Sequence, residues 1–271
     1  MDTPTTHHLQ RPEGRIAYDR IGTGPLAILV PGMGDLRQTY RFLSPALAEA
    51  GWSVVTTDLR GHGDSDTSFR DYGDEATADD LVALVEALGA PALLVANSMS
   101  AGSAVLVAAR RPDLVRGLAL VGPFVRNPPS NPVMTLLMRI AMVPLWAAAT
   151  WKAYLPSLYA GRRPDDFDAY LSQVVASIRR PGYARAFSRT TRTTHAPAEA
   201  ALPAVHTPTL VVMGEEDPDF RDPMAEAEWV AARLHGAVAM IPDAGHYPHA
   251  QQPEAVLARL LPFMATVGAD A

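Results

Sequence analysis

The segment Ala92-Leu93-Leu94-Val95-Ala96-Asn97-Ser98-Met99-Ser100-Ala101-Gly102 limits the possible folds more than any other stretch of the chain. Its first half is an apolar run of the kind a buried parallel strand shows, and its second half opens an alanine-rich helix. A serine stands between them. A strand that turns sharply into a helix at a serine pushes the hydroxyl into open space, the layout of a nucleophile elbow. The usual spelling is Gly-x-Ser-x-Gly, and here Ala96 and Ser100 replace both glycines. The turn brings those two positions against neighbouring backbone, so they must be small, and alanine and serine are small. Ser98-x-Ser100-x-Gly102 offers a second spelling centred on Ser100. The strand ending favours Ser98, because Ser100 falls inside the helix, away from the turn. Taken alone, Ser98 also reads as a helix N-cap.

The rest of the chain supplies the setting for a strand–serine–helix unit. At 271 residues it is long enough for one large α/β domain or a domain carrying an insertion. With 48% hydrophobic and 19% charged residues, a sizeable core is available and disorder is not expected. A net charge of -6 argues against nucleic acid as a partner. There are no cysteines, which excludes disulfides, zinc–thiolate sites and a cysteine nucleophile. Met1 to Gly14 is polar and lacks the apolar centre of a signal peptide. The most apolar stretch, Met134 to Trp151, is interrupted by Arg139 and Pro144, so no membrane span is expected and a cytoplasmic location is.

Strands and helices alternate, which predicts a mostly parallel sheet with helices on both faces. Strands are expected over Arg15–Arg20, Leu26–Val30, Ser53–Thr57, Ala92–Ala96 and Gly117–Val121, with helices over Gln38–Ala50, Ala76–Leu88 and from the elbow to about Arg111. Between Pro123 and about Pro203 no convincing strand occurs. Apolar helix-like pieces over Val133–Val143, Leu145–Tyr154 and Phe167–Ile178 read as an inserted helical cap. The alternation resumes with a strand over Thr209–Met213, a helix over Pro223–Leu234, a strand over Ala237–Ile241 and a closing helix over Pro253–Ala265. The expected division is a core of residues 1–122 and 204–271 with a cap of residues 123–203.

A serine hydroxyl needs a base to remove its proton, and the base needs a third group to hold it. Asp243-Ala244-Gly245-His246-Tyr247-Pro248-His249 follows the last strand, and His246 is the candidate base, with His249 as the alternative on the same loop. Gly214-Glu215-Glu216-Asp217-Pro218-Asp219 follows the preceding strand. Asp217 is the candidate orienting acid there, with Asp219 and Glu216 behind it. Each of these also has a plain reading, as a polar surface histidine or a solvated acidic turn. The glycine-rich turn Pro31-Gly32-Met33-Gly34-Asp35 would aim the Met33 amide, together with that of Met99, at a developing oxyanion. A dinucleotide reading of Gly32-x-Gly34 fails because Arg37 stands where the third glycine belongs.

With these pieces the chain resembles the α/β-hydrolase superfamily, specifically its members with a helical cap. The resemblance runs from about Gly14 to Met264. It rests on the elbow, on Asp58-x-Arg60-Gly61-x-Gly63-x-Ser65, on Gly214-x-x-Asp217 after a strand, and on Gly245-His246. It departs at Pro31-Gly32, where the family usually has His-Gly, and at the two elbow glycines. The chain order Ser98, Asp217, His246 is the order this fold uses. Family members that open epoxides or remove halides carry an aspartate at the elbow, so Ser98 implies the acyl-transfer branch. The expected activity is hydrolysis of an uncharged, hydrophobic ester through an acyl-enzyme. A lactone, a β-diketone carbon–carbon bond, perhydrolysis or a slow ligand-binding and signalling role remain as alternatives. Met138, Met142, Trp146 and Trp151 of the cap are the candidate substrate-binding residues, although packing of the cap onto the body would account for most of them. No cofactor and no metal are implied, the partner is a small hydrophobic substrate, and a homodimer is left open.

Overall fold

The computed structural model describes residues 5–128 and 132–268. Residues 1–4, 129–131 and 269–271 lie outside the described residues, so part of the expected polar amino-terminal stretch and of the expected cap falls there. Eight strands form one sheet in the order β1-β2-β4-β3-β5-β6-β7-β8. These are β1 (Thr6–Arg11), β2 (Gly14–Ile21), β3 (Leu26–Val30), β4 (Ser53–Thr57), β5 (Ala92–Asn97), β6 (Val115–Val121), β7 (Thr209–Gly214) and β8 (Ala237–Ile241). β1 and β2 pair antiparallel at one edge, and every pairing from β4 to β8 is parallel. Parallel strands covered on both faces should be apolar throughout, and all residues of β3 and β5 are buried.

In chain order the helices are α1 (Leu43–Glu49), α2 (Asp74–Leu88), α3 (Ser100–Arg110), α4 (Pro132–Ala141), α5 (Ala147–Leu158), α6 (Phe167–Arg179), α7 (Tyr183–Thr190), α8 (Ala196–Ala201), α9 (Pro223–Leu234), α10 (Pro248–Gln251) and α11 (Pro253–Gly268). On one face of the sheet, Leu43 and Leu47 of α1 meet Val256, Leu260 and Met264 of α11 over Leu29 and Val95. On the other, Leu81 and Leu84 of α2, Ala104 and Val105 of α3 and Val230 of α9 pack over Ile28, Leu94 and Leu120. Removing a leucine from either layer, Leu29→Ala for example, costs about 3 kcal/mol.

The chain leaves β3 toward β4 on one side and returns to β5 on the other. The carboxyl ends of β3 and β5 therefore flank a crevice where the connections diverge, the usual place for a ligand in such sheets. Helices α4 to α8 lie between β6 and β7. Trp151, Leu155 and Leu158 of α5, Phe167, Tyr170 and Val174 of α6 and Phe187 of α7 form a core of their own, joined by Leu36 and Tyr247 from the body. α8 belongs to the other side of the molecule, because Ala198, with Leu202 and Val205 beyond it, packs into the cluster over α3.

Candidate active site

Ser98 occupies the turn between β5 and α3 with φ +57, a left-handed conformation rare for a residue with a side chain. Such a residue costs about 1 kcal/mol or more, so its surroundings must hold it there. Its amide donates to the Val121 carbonyl at 2.9 Å, and its own carbonyl accepts from Ala101 at 3.0 Å. The two unorthodox elbow positions fit this turn. Ala96 is wholly buried between Val30 and Leu120 on the neighbouring strands. Ser100 begins α3 and donates its hydroxyl to the Pro31 carbonyl at 2.6 Å. The rival serine is thus committed to tying the elbow to the glycine-rich turn. That turn lies close against Ser98, since a Cβ on Gly32 would sit 2.8 Å from the Ser98 Cβ.

The two other triad candidates meet at the ends of β7 and β8. His246 Nδ1 lies 2.8 Å from Asp217 Oδ2, and both side chains are almost fully buried. Asp219 is a second carboxylate at 3.6 Å from the same nitrogen, with its other oxygen accepting from the Tyr154 hydroxyl at 2.8 Å. Burial alone would lower the His246 pKa, but the charge of Asp217, helped by Asp219, outweighs it and pushes the value up to about 9. Of the fallback residues only Asp219 reaches this pair. Glu216 is exposed. His249 is buried with Nε2 3.0 Å from Thr39 Oγ1, and burial holds its pKa down at about 3. Asp217, Asp219 and His246 also bring their ligand-type atoms within 4.8 Å of one another. The short Nδ1–carboxylate hydrogen bond accounts for that approach.

Three residues that sequence reasoning passed over position these groups. Gln251 accepts from the Gly245 and Tyr247 amides at 2.9 and 3.3 Å and donates to the Ala160 and Arg162 carbonyls at 2.6 and 2.8 Å. It therefore clamps the histidine loop to the segment that follows α5. Asn97 donates to the carbonyls of Val121 and His246 at 3.0 and 3.2 Å, linking the elbow strand to the same loop. His62 accepts the Gly34 amide proton at Nε2, at 3.0 Å, while Nδ1 is 2.9 Å from the Arg60 carbonyl. This arrangement needs a neutral ring, in keeping with burial lowering the His62 pKa to about 4. His62 lies within the Asp58–Ser65 motif, and that position next to a structural loop was the available signal. Within the described residues the amide protons of Met33 and Met99 have no protein acceptor.

Ser98, His246 and Met33 open on one cavity of about 460 Å³. Of the four cap candidates, Met138, Met142 and Trp151 line it. Trp146 does not; its indole N–H donates to the Ile140 carbonyl on the outer side of the helical segment. Trp151 also donates to the Gly34 carbonyl at 2.8 Å, which fixes α5 over the glycine-rich turn. The wall is not apolar throughout, since Asn127, Arg139, Arg192, Thr193 and His195 share it. A larger open groove of about 830 Å³ lies by β2 and α1, away from Ser98.

The sequence model of the Alpha/beta hydrolase family matches residues 27–259. Among curated proteins, the pyrrolizixenacetamide deacetylase of Xenorhabdus hominickii is 26% identical over 259 residues, 93% of this chain and 95% of that protein. The 2-(acetamidomethylene)succinate hydrolase of Mesorhizobium japonicum is 26% identical over 250 residues, 90% of this chain and 89% of that protein. Among solved structures, a bromoperoxidase from Bacillus anthracis superposes with a TM-score of 0.84 at 18% identity, covering 97% of this chain and all of that one, a likeness of fold.

Proposed function

The chain belongs to the Alpha/beta hydrolase family, and on that premise we propose that it is a serine hydrolase that cleaves a small acyl compound through an acyl-enzyme. The observation that carries this reading is the buried 2.8 Å hydrogen bond between His246 and Asp217. His246 lines the same cavity as Ser98, a serine held in the left-handed turn of the elbow. In the proposed cycle His246 Nε2 takes the Ser98 proton as Oγ attacks the acyl carbon, and Asp217 balances the imidazolium. The Met33 and Met99 amides donate to the oxyanion. His246 then protonates the leaving group, removes a proton from water, and the deacylation step regenerates Ser98. A serine at the elbow supports acyl transfer over epoxide opening. The insertion up to α7 acts as the cap, with Met138, Met142 and Trp151 offering an apolar wall to the substrate.

An ester with an apolar flank is the leading substrate class. An amide of a similar acyl group is the second reading, favoured by the names of the two relatives, a deacetylase and an acetamidomethylene compound hydrolase. Short-chain p-nitrophenyl esters and anilides test both. The reading expects turnover by the native chain and a loss of at least about 10³-fold in Ser98→Ala. Undiminished hydrolysis by Ser98→Ala would remove it.

A further inference from the structure

His195, on the cavity wall, is half of a second histidine–carboxylate pair that the proposed reaction does not use. His195 Nδ1 lies 2.8 Å from Asp74 Oδ2, with side chains 7% and 1% exposed. Asp74 belongs to the body, at the start of α2, and His195 precedes α8 at the far end of the helical insertion. The carboxylate is fixed from its other side by Thr193, whose hydroxyl lies 3.0 Å from Oδ1. The imidazole stacks on Phe124 with ring centres 5.6 Å apart, and the same phenyl ring meets His246 edge-on at 5.9 Å. One aromatic ring thus separates the two histidines. With Nδ1 turned to Asp74, Nε2 is the nitrogen left over, and it makes no hydrogen bond within the described residues.

A pair that only pinned α8 to α2 would need neither a place on the cavity wall nor a free nitrogen. Two guanidiniums, those of Arg139 and Arg192, line the same cavity, and neither has an ion-pair partner among the described residues. Among the described residues Asp219 is the one carboxylate in the lining, and the Tyr154 hydroxyl and His246 already engage it. The cavity wall therefore carries two guanidiniums without ion-pair partners among the described residues, and with them an imidazole held by Asp74 whose Nε2 is left uncommitted.

We propose that His195, oriented by Asp74 and assisted by Arg192 and Arg139, binds a carboxylate on the substrate, so that the natural substrate is a monoester or monoamide of a dicarboxylic acid. This deepens the acyl-hydrolase reading and rests on it for the word substrate. The expected uncharged ligand is replaced by one with an apolar middle and one anionic end. His195 is a specificity residue and takes no part in the bond cleavage.

The test uses Ser98→Ala, which reads binding without turnover, titrated calorimetrically with monomethyl and dimethyl glutarate. The proposal expects the monoanion to bind about tenfold more tightly than the neutral diester, and less so at high salt. His195→Gln and Arg192→Gln, each made in that background, should lower this ratio severalfold. Arg192 is exposed, so its variant keeps the test open if His195→Gln fails to fold. Equal binding of the two glutarates, or a ratio that neither substitution moves, would overturn the proposal and leave His195 a structural pin. A chain that prefers the monoanion but hydrolyses no acyl compound would contradict the serine-hydrolase reading and leave this subsite standing.

Discussion

At the scale of single residues, the shifted His246 makes the sharpest demand. In the proposed cycle the imidazole must be neutral to accept the Ser98 proton, and its pKa is pushed up to about 9 from the ordinary 6.5. Rate constants kcat/KM measured against pH should therefore climb between 6.5 and about 9 rather than level off near neutrality. Asp217→Asn removes the largest raising influence, so the same limb should move down while kcat falls by about 10⁴. A limb that stays in place would mean another group sets it. Neighbouring Ser100 gives the complementary expectation. Its hydroxyl is bound to Pro31, so Ser100→Ala should keep nucleophilic function and lose about 1 kcal/mol of stability. Gly32→Ala places a methyl against Ser98 and should depress kcat far more than it changes the melting temperature.

Secondary-structure elements show where a single sequence is readable and where it is not. The strands β3, β4 and β8 and the helix α9 lie at the expected bounds, because apolar or β-branched residues between turn residues mark the strands and a 3.6-residue period marks the helix. β1 escaped notice. It is a polar edge strand, four of whose six residues are exposed, and pairing with β2 rather than burial defines it. The single helix expected over Gln38–Ala50 is instead a 3₁₀ turn at Arg37–Tyr40 followed by α1. Pro45 explains the break, since its ring and missing N–H suit only a first turn. α7 and α8 are short, and packing between layers sustains them more than their own periodicity does. In the candidate site, the meeting of Asp217 with His246 and the sharp turn at Ser98 were legible from their places after strands. The Gln251 clamp was not, because it acts through backbone groups of two distant loops. Gln251→Ala strands two buried amides and two carbonyls. It should cost about 2–4 kcal/mol in denaturant unfolding and about tenfold in kcat through a misplaced His246. A variant with unchanged kcat would show that the loop holds itself.

On the scale of the whole molecule, buried ionisable groups shape stability from both sides of neutrality. His62 and His249, held down at about 4 and 3, stay neutral in the folded chain while the unfolded chain takes up two protons below 6.5. Asp35, which burial raises to about 6, offsets one of them by binding a proton when folded. The net of one proton makes stability fall with acid at about 1.4 kcal/mol per pH unit. His246 works in the opposite sense: its contribution is complete below 6.5 and is lost as pH rises through about 9. Melting temperatures should peak near pH 6.5 and drop roughly 2 °C per unit on either side, which calorimetry across the range can check. The fold brings the ends of β3, β5, β7 and β8 to one crevice, and the claim that this crevice performs serine acyl chemistry has one direct test. A fluorophosphonate probe should add once to the native chain, and peptide mass mapping should place the adduct on Ser98, with no adduct in Ser98→Ala. An adduct on Ser100, or one that persists in Ser98→Ala, would contradict the account.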